Sequence, residues 1–214
     1  IVNKNIKLFH GKPILSYAIE NAKKSKIFDK IIVTTDSEKI AIIARKYGAE
    51  TPFLRPKKLA DDYASDEVVK KHFLNFCKKK KFNVKFLCYL YPCTPLLNKI
   101  ILRKTFKYIK DKNFKNLVVI SKYLTNIQRT LYKYKNNDLK FINNKFKKTR
   151  SNENKLFLLE TGQLYWLNLN KKAINKTLGY EIDPLKSIDI NTIKDFKIAL
   201  KLYKLMYNFS FKKK

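Results

Sequence analysis

"KIIVTTDSEKIAIIARKYGAETPFL", residues 30–54, changes its hydrophobic period twice. Its first part, 30–36, is a β-branched run ending at Asp36 and reads as a buried strand. Ser37 then stands where a helix N-cap belongs, and Ile40, Ile43 and Ala44 recur at helical spacing on an inner face. Gly48 supplies the stop, and "AETPFL" (49–54) reads as a second strand. Strand, helix, strand in succession argues for an α/β fold.

The same alternation extends outward. Pro13 opens a helical pattern over 12–25, with Ile14, Leu15, Ala18, Ile19 and Ala22 on one face. Beyond the unit, a helix is predicted from Asp66 to about Lys81 with Val69, Phe73 and Phe76 inward. "VKFLCYLYP" (84–92) follows as a strand apolar on both faces. The loop "PCTPLL" (92–97) leads to a helix from Asn98 to about Lys110, then to a strand "NLVVIS" at 116–121. Residues 132–141 read as a hairpin turning at Asn136, Asn137 and Asp138. "QLYWLNL" (163–169) is a further strand, a long helix runs from Thr192 to about Tyr207, and the tail "FKKK" (211–214) reads as loose. The pattern predicts one domain over 1–214: a three-layer α/β/α sandwich around an open, mostly parallel sheet. In such sheets ligands bind beyond the carboxyl ends of the strands. That places Asp36, Arg55, Asp61, Asp62, Ser65, residues 91–95 and Asp189 at the expected site.

Composition narrows the function classes. The formal net charge is +31, from 43 Lys and 5 Arg, alongside 20 Asn. The lysines spread along the whole chain, so drift toward A/T-rich codons explains them better than a nucleic-acid footprint. An electrostatic RNA binder stays open as a minor reading, with steep salt dependence as its mark. Cys77, Cys88 and Cys93 are odd in number and lack metal-ligand spacing, which argues against a disulfide framework or zinc and suits a reducing cytoplasm. No apolar run is long enough to span a bilayer, and residues 1–10 lack the apolar core of a signal peptide.

Several segments together resemble the cytidylyltransferases that activate nonulosonic acids, the sialic-acid-like sugars. They are "NKNIKLFHGKPILSYAIENA" (3–22), "IFDKIIVTTDSEKIAIIARKYGAETPFLRPKKLADDYASDEVV" (27–69), "LYPCTPLL" (90–97), "IQRTL" (127–131), "TRSNENK" (149–155), "ETGQLYW" (160–166) and "SIDINTIKDF" (187–196). Among them "LYPCTPLL", "IQR" and "GQLYW" are most similar to the pseudaminic acid branch. The resemblance implies a Rossmann-like nucleotidyltransferase fold and transfer of CMP from CTP to the sugar, with Mg²⁺ and release of pyrophosphate, in surface glycan biosynthesis. It also implies a homodimer in which residues 123–155, with their hairpin, reach the partner.

Site residues follow by the same resemblance. Lys4 and Asn5 match a Lys-Asn pair at the nucleotide, Lys4 approaching phosphate. Arg55 matches an arginine at the cytidine part; its alternative is an ion pair with Asp61 or Asp62. Ser65 falls in a base-binding turn and is also a candidate N-cap. Tyr91, Arg129, Arg150 and Gln163 are candidates for the sugar, with an arginine suited to its carboxylate. The family's Asp-Ile-Asp metal motif reads Asp189-Ile190-Asn191 here, one carboxylate and one amide, with Asp36 as a possible assistant. Family members carry an apolar strand and a glycine-bearing phosphate loop ahead of the segment matching "IVNKN" (1–5). Without them the expectation is unpaired strand edges, exposed apolar surface and poor turnover by this chain alone. The amide at 191 and that missing loop keep a second reading open, a non-catalytic sugar-nucleotide-binding protein.

Overall fold

The computed structural model describes residues 1–60, 64–123, 127–148 and 157–211, the side chains of 207–211 excepted. A short hairpin comes first, β1 (Leu8–Phe9) and β2 (Lys12–Pro13), then α1 (Leu15–Ser25), α2 (Glu38–Lys46), α3 (Asp66–Lys79) and β3 (Phe86–Leu90). α4 (Lys99–Lys112), β4 (Phe114–Lys122), β5 (Leu131–Lys133), β6 (Leu139–Phe141), β7 (Leu158–Asn168), β8 (Ile174–Ile182) and α5 (Ile193–Phe211) complete the chain.

The main sheet has the order β3-β7-β4-β8. β7 runs antiparallel to both neighbours, and only β4 and β8 are parallel, so this sheet is mixed rather than mostly parallel. The reason lies in connectivity. β7 returns from the β5–β6 excursion and enters between β3 and β4 against their direction, whereas β3 and β4 are joined by the crossover helix α4. β8, whose residues "INKTLGYEI" carry polar side chains along an exposed edge, escapes the hydrophobic pattern used to find strands.

Three layers are present. Phe86, Cys88 and Leu90 pack with Trp166, Leu117, Val119 and the inner residues of α4 and α1, including Ile101, Leu102, Ile109 and Ala22. The alternate residues Tyr89 and Tyr91 face α3, where both hydroxyls donate to the Asp66 carboxylate. A second cluster joins Phe9, Tyr17, Ile190, Phe196 and Ala199, docking α5 on α1 and the first hairpin. That hairpin turns at His10 and Gly11, both at positive φ, the geometry of a two-residue hairpin turn.

The two strands read at 30–36 and 49–54 form only isolated parallel bridges, Ile32 to Glu50 and Thr35 to Leu54. They stand apart from the main sheet. β3 is paired on one side only, by β7, and residues 31–35 are paired on one side only, by 50–54, among the described residues. The two run in the same direction. Lys30, at the start of one, lies 5.3 Å from the Phe82 ring ahead of the other, while Arg55 beside Thr35 lies near Tyr89 at the far end. Between them opens a hollow of about 1360 Å³, walled by α1 and α3.

Candidate functional site

The inner hollow is lined by apolar side chains such as Ile19, Ile31, Val33, Val69 and Leu87. Its mouth is polar and lies at the strand tips. Lys4, Asn5, Asp36, Arg55, Asp66, Tyr91, Cys93, Gln163 and Asp189 all line the one cavity. Residues from widely separated parts of the sequence thus converge where an α/β sheet binds ligands.

Each polar side chain is placed by a local device. Lys4 lies in a short 3₁₀ turn, Lys4–Ile6, and its ammonium donates to the Ile190 carbonyl at 2.7 Å and to Asn191 Oδ1 at 3.3 Å. Asn5 Oδ1 accepts from the Cys93 thiol at 3.2 Å, tying the N-terminal turn to the loop after β3. Arg55 is held by its backbone N–H on the Thr35 carbonyl at 2.8 Å, and its buried Nε has no partner among the described residues. A buried guanidinium N–H calls for an acceptor, and an acidic or carbonyl group suits it.

Asp189 and Asn191 flank Ile190, which is 1 % exposed and pinned in the Phe9–Phe196 cluster. Burial of the middle residue turns its two neighbours outward. Asp189 Oδ2 accepts from Asn191 Nδ2 at 2.6 Å. Gln163 supports this loop from below: its Nε2 donates to the carbonyls of Lys186 and Ile188, and its buried Oε1 has no partner among the described residues. Gln163 reaches that position through a bulge. The β4–β7 register shifts between Val118 and Ile120, Gly162 adopts φ 64°, and Thr161 Oγ1 donates to the Val119 carbonyl at 3.0 Å.

Electrostatics keep the hydroxyl and thiol groups protonated. Burial, then the Asp66 carboxylate, push the Tyr89 phenol up to about 12 and drive Tyr91 higher still. Both therefore act as donors to Asp66. Burial also pushes the Cys93 thiol up to about 11, with Lys4 pulling down and Asp189 pushing up.

The remaining sequence candidates fall elsewhere. Ser65 occupies the N-cap position of α3 without a side-chain cap bond and does not line the hollow. Arg129 sits exposed on the turn Ile127–Arg129 beside β5, away from the cavity. Arg150 and the carboxylates Asp61 and Asp62 lie outside the described residues. Asp66 and Tyr89 are additions that sequence reading missed. Tyr89 was hidden inside an apolar run, although its spacing of two from Tyr91 places both on one face of a strand.

Asp189 offers Oδ1 with no hydrogen bond among the described residues, and Mg²⁺ commonly takes one or two carboxylates plus substrate phosphates and waters. Asp189 fits that role. Asn191 fits it less well, because its oxygen is engaged by the Lys4 ammonium.

The cytidylyltransferase family profile matches residues 1–211. The pseudaminic acid cytidylyltransferase of Campylobacter jejuni subsp. jejuni serotype O:2 is 34 % identical over 99 % of this chain and 94 % of its own length. The N-acylneuraminate cytidylyltransferase of Escherichia coli O18:K1:H7 is 49 % identical over 34 % of this chain and 17 % of its own. In fold, the chain superposes on a CMP:2-keto-3-deoxy-manno-octonic acid synthetase complexed with CTP, with a TM-score of 0.64, 12 % identity, and 97 % and 93 % of the two chains covered. Profile, full-length relative and fold agree, and the chain belongs to the cytidylyltransferase family.

Proposed function

We propose that this chain transfers CMP from CTP to a nonulosonic acid, pseudaminic acid before others, releasing pyrophosphate. The observation that carries the reading is the convergence of Lys4, Arg55 and Asp189 on one hollow at the strand tips. A cation for phosphate, a planar fork for a base carbonyl or an acidic group, and a hard carboxylate for a metal are what such a transfer requires. The likeness in length and sequence to a pseudaminic acid cytidylyltransferase supports the choice of sugar.

In this mechanism Lys4 neutralises a phosphate group and Arg55 fixes the cytidine. The tyrosine face of Tyr89, Tyr91 and Tyr165 walls the sugar side, with Tyr91 held by Asp66. Gln163 Oε1 accepts from a sugar hydroxyl. The anomeric hydroxyl attacks the α-phosphorus in line, giving up its proton to solvent, as the bond to pyrophosphate breaks. Mg²⁺ held by Asp189 would neutralise charge on the leaving group. Arg150 is proposed for the sugar carboxylate and Arg129, away from this hollow, for a partner subunit's site, while Ser65 stays at the N-cap position of α3.

The exposed apolar residues of β5 and β6, Leu131, Tyr132 and Leu139, and of Tyr134 and Ile142 beside them, support a homodimer made through this hairpin. Sedimentation at micromolar concentration reads this directly, and a monomer overturns it. No helix among the described residues is long and apolar enough to cross a membrane, and the cysteines Cys77, Cys88 and Cys93 are free, which supports work in the cytoplasm.

The test is pyrophosphate release and CMP-sugar formation from CTP with pseudaminic acid, against N-acetylneuraminic acid and no sugar. Turnover with pseudaminic acid above both controls is expected, slow for this chain alone. CTP binding without turnover on either sugar, in a chain joined to the family's phosphate loop, selects the second reading, a sugar-nucleotide-binding protein, which the amide at position 191 favours.

A further inference from the structure

Asn191 is engaged at both ends of its side chain. Its Nδ2 donates to Asp189 Oδ2 at 2.6 Å, and its Oδ1 accepts from the Lys4 ammonium at 3.3 Å. With the N–H end on a carboxylate, the carbonyl end must face the cation. The backbone is fixed as well. The Asn191 N–H donates to Asp195 Oδ2 at 3.1 Å, and that same oxygen accepts from the Thr192 N–H and hydroxyl at the start of α5. Lys4 also donates to the Ile190 carbonyl at 2.7 Å. An ammonium has three donors. Among the described residues two are taken inside the protein, which leaves one for a ligand in the hollow.

A carboxylate at 191 would reverse this arrangement. It would pair with Lys4 and cancel its charge, and it would stand as a like charge beside Asp189 unless a divalent cation lay between them. With the amide, Lys4 keeps its charge, and a triphosphate meets an available ammonium at the rim.

We infer that Asn191 is a positioning residue that holds Lys4 for the triphosphate, so that nucleotide binds without metal, and Asp189 alone would hold a divalent cation once nucleotide is in place. This rests on the cytidylyltransferase reading of the hollow. An amide here trades a preformed metal site for a preformed phosphate site.

The test uses the whole chain, with CTP titrated calorimetrically in EDTA and in Mn²⁺, and Mn²⁺ alone followed by electron paramagnetic resonance. The unmodified chain is expected to bind CTP in EDTA and to retain no Mn²⁺ without nucleotide at about millimolar concentration. Asn191→Asp should weaken CTP binding in EDTA about 10-fold while creating Mn²⁺ binding in the absence of CTP. Asn191→Ala should weaken CTP binding in EDTA about 3-fold, and should add nothing in a Lys4→Ala background, because the two act through one ammonium. A merely structural role would shift CTP affinity equally with and without metal. That result overturns the inference, as does equal Mn²⁺ binding by the unmodified chain and Asn191→Asp. CTP binding only when metal is present overturns this inference and spares the proposed function. No CTP binding in either buffer overturns both.

Discussion

Cys93 is the residue where the chemistry of the mouth can be read without substrate. It sits among Asn5, Lys4 and Asp189, and its thiol is pushed up to about 11 by burial. A protonated thiol is a poor nucleophile. Alkylation of Cys93 by iodoacetamide is therefore expected to be slow at neutral pH and to accelerate toward pH 10 and above, with CTP slowing it, as followed by peptide mass spectrometry. Fast labelling at pH 7 would contradict the burial that places it. Arg55 gives the complementary test. Its Nε, buried and without a partner among the described residues, makes its role a matter of geometry as well as charge. Arg55→Ala should weaken CTP binding about 10-fold or more, and Arg55→Lys should restore little of it, because an ammonium lacks the planar fork. Restoration by lysine would reduce Arg55 to a general cation.

At the scale of elements, helix starts hold the loops in place. Asn98 caps α4 by accepting from the N–H groups of Ile100 and Ile101, which orients the loop 92–97 that carries Cys93. Asn98→Ala should cost about 1 kcal/mol in urea denaturation. α5 begins with a reciprocal box: Thr192 Oγ1 accepts from the Asp195 N–H, and Asp195 Oδ2 accepts from the Thr192 N–H. Those bonds, from the Thr192 backbone first and its hydroxyl second, hold the Asp195 carboxyl below its ordinary 3.8. A depressed folded-state value means that its stabilisation is present above that ordinary value and is lost as pH falls through the folded one. In an acid titration followed by circular dichroism, Thr192→Ala should lose the native signal at a higher pH than the unmodified chain. Coincident curves would mean that the box does not secure the helix start.

For the molecule as a whole, the open hollow sets the behaviour. Its inner walls are apolar, and two strand edges without a pairing partner among the described residues face each other across it. Surface of this kind binds amphiphilic dyes. An anilinonaphthalene sulfonate probe should fluoresce strongly with the folded chain, in a way that CTP at the polar mouth only partly reverses. No enhancement would mean that the walls close in solution. The charge of +31 acts at this scale too. It should draw in any polyanion at low salt, so binding of CTP must be judged against ATP and inorganic triphosphate at near-physiological ionic strength.

Local pattern was enough to locate α2 with its Ser37 cap and Gly48 stop, β3, α4 and the β5–β6 hairpin, because each of these is written in spacing and capping chemistry over a few residues. The motif residues Lys4, Arg55 and Asp189 could be nominated from sequence for the same reason: their neighbours identify them. Partner choice was not legible. Backbone hydrogen bonding is identical for every strand, so nothing in "KIIVTTD" (30–36) says that it will bridge to 50–54 and leave its other edge unpaired, and nothing in "QLYWLNL" (163–169) says that β7 will enter antiparallel. Likewise the Asp66 link to Tyr89 and Tyr91, the bulge that delivers Gln163 and the Lys4–Asn191 bond join residues far apart in sequence. Only the folded chain brings those side chains within hydrogen-bonding distance, since that closeness is a property of packing and not of any one segment.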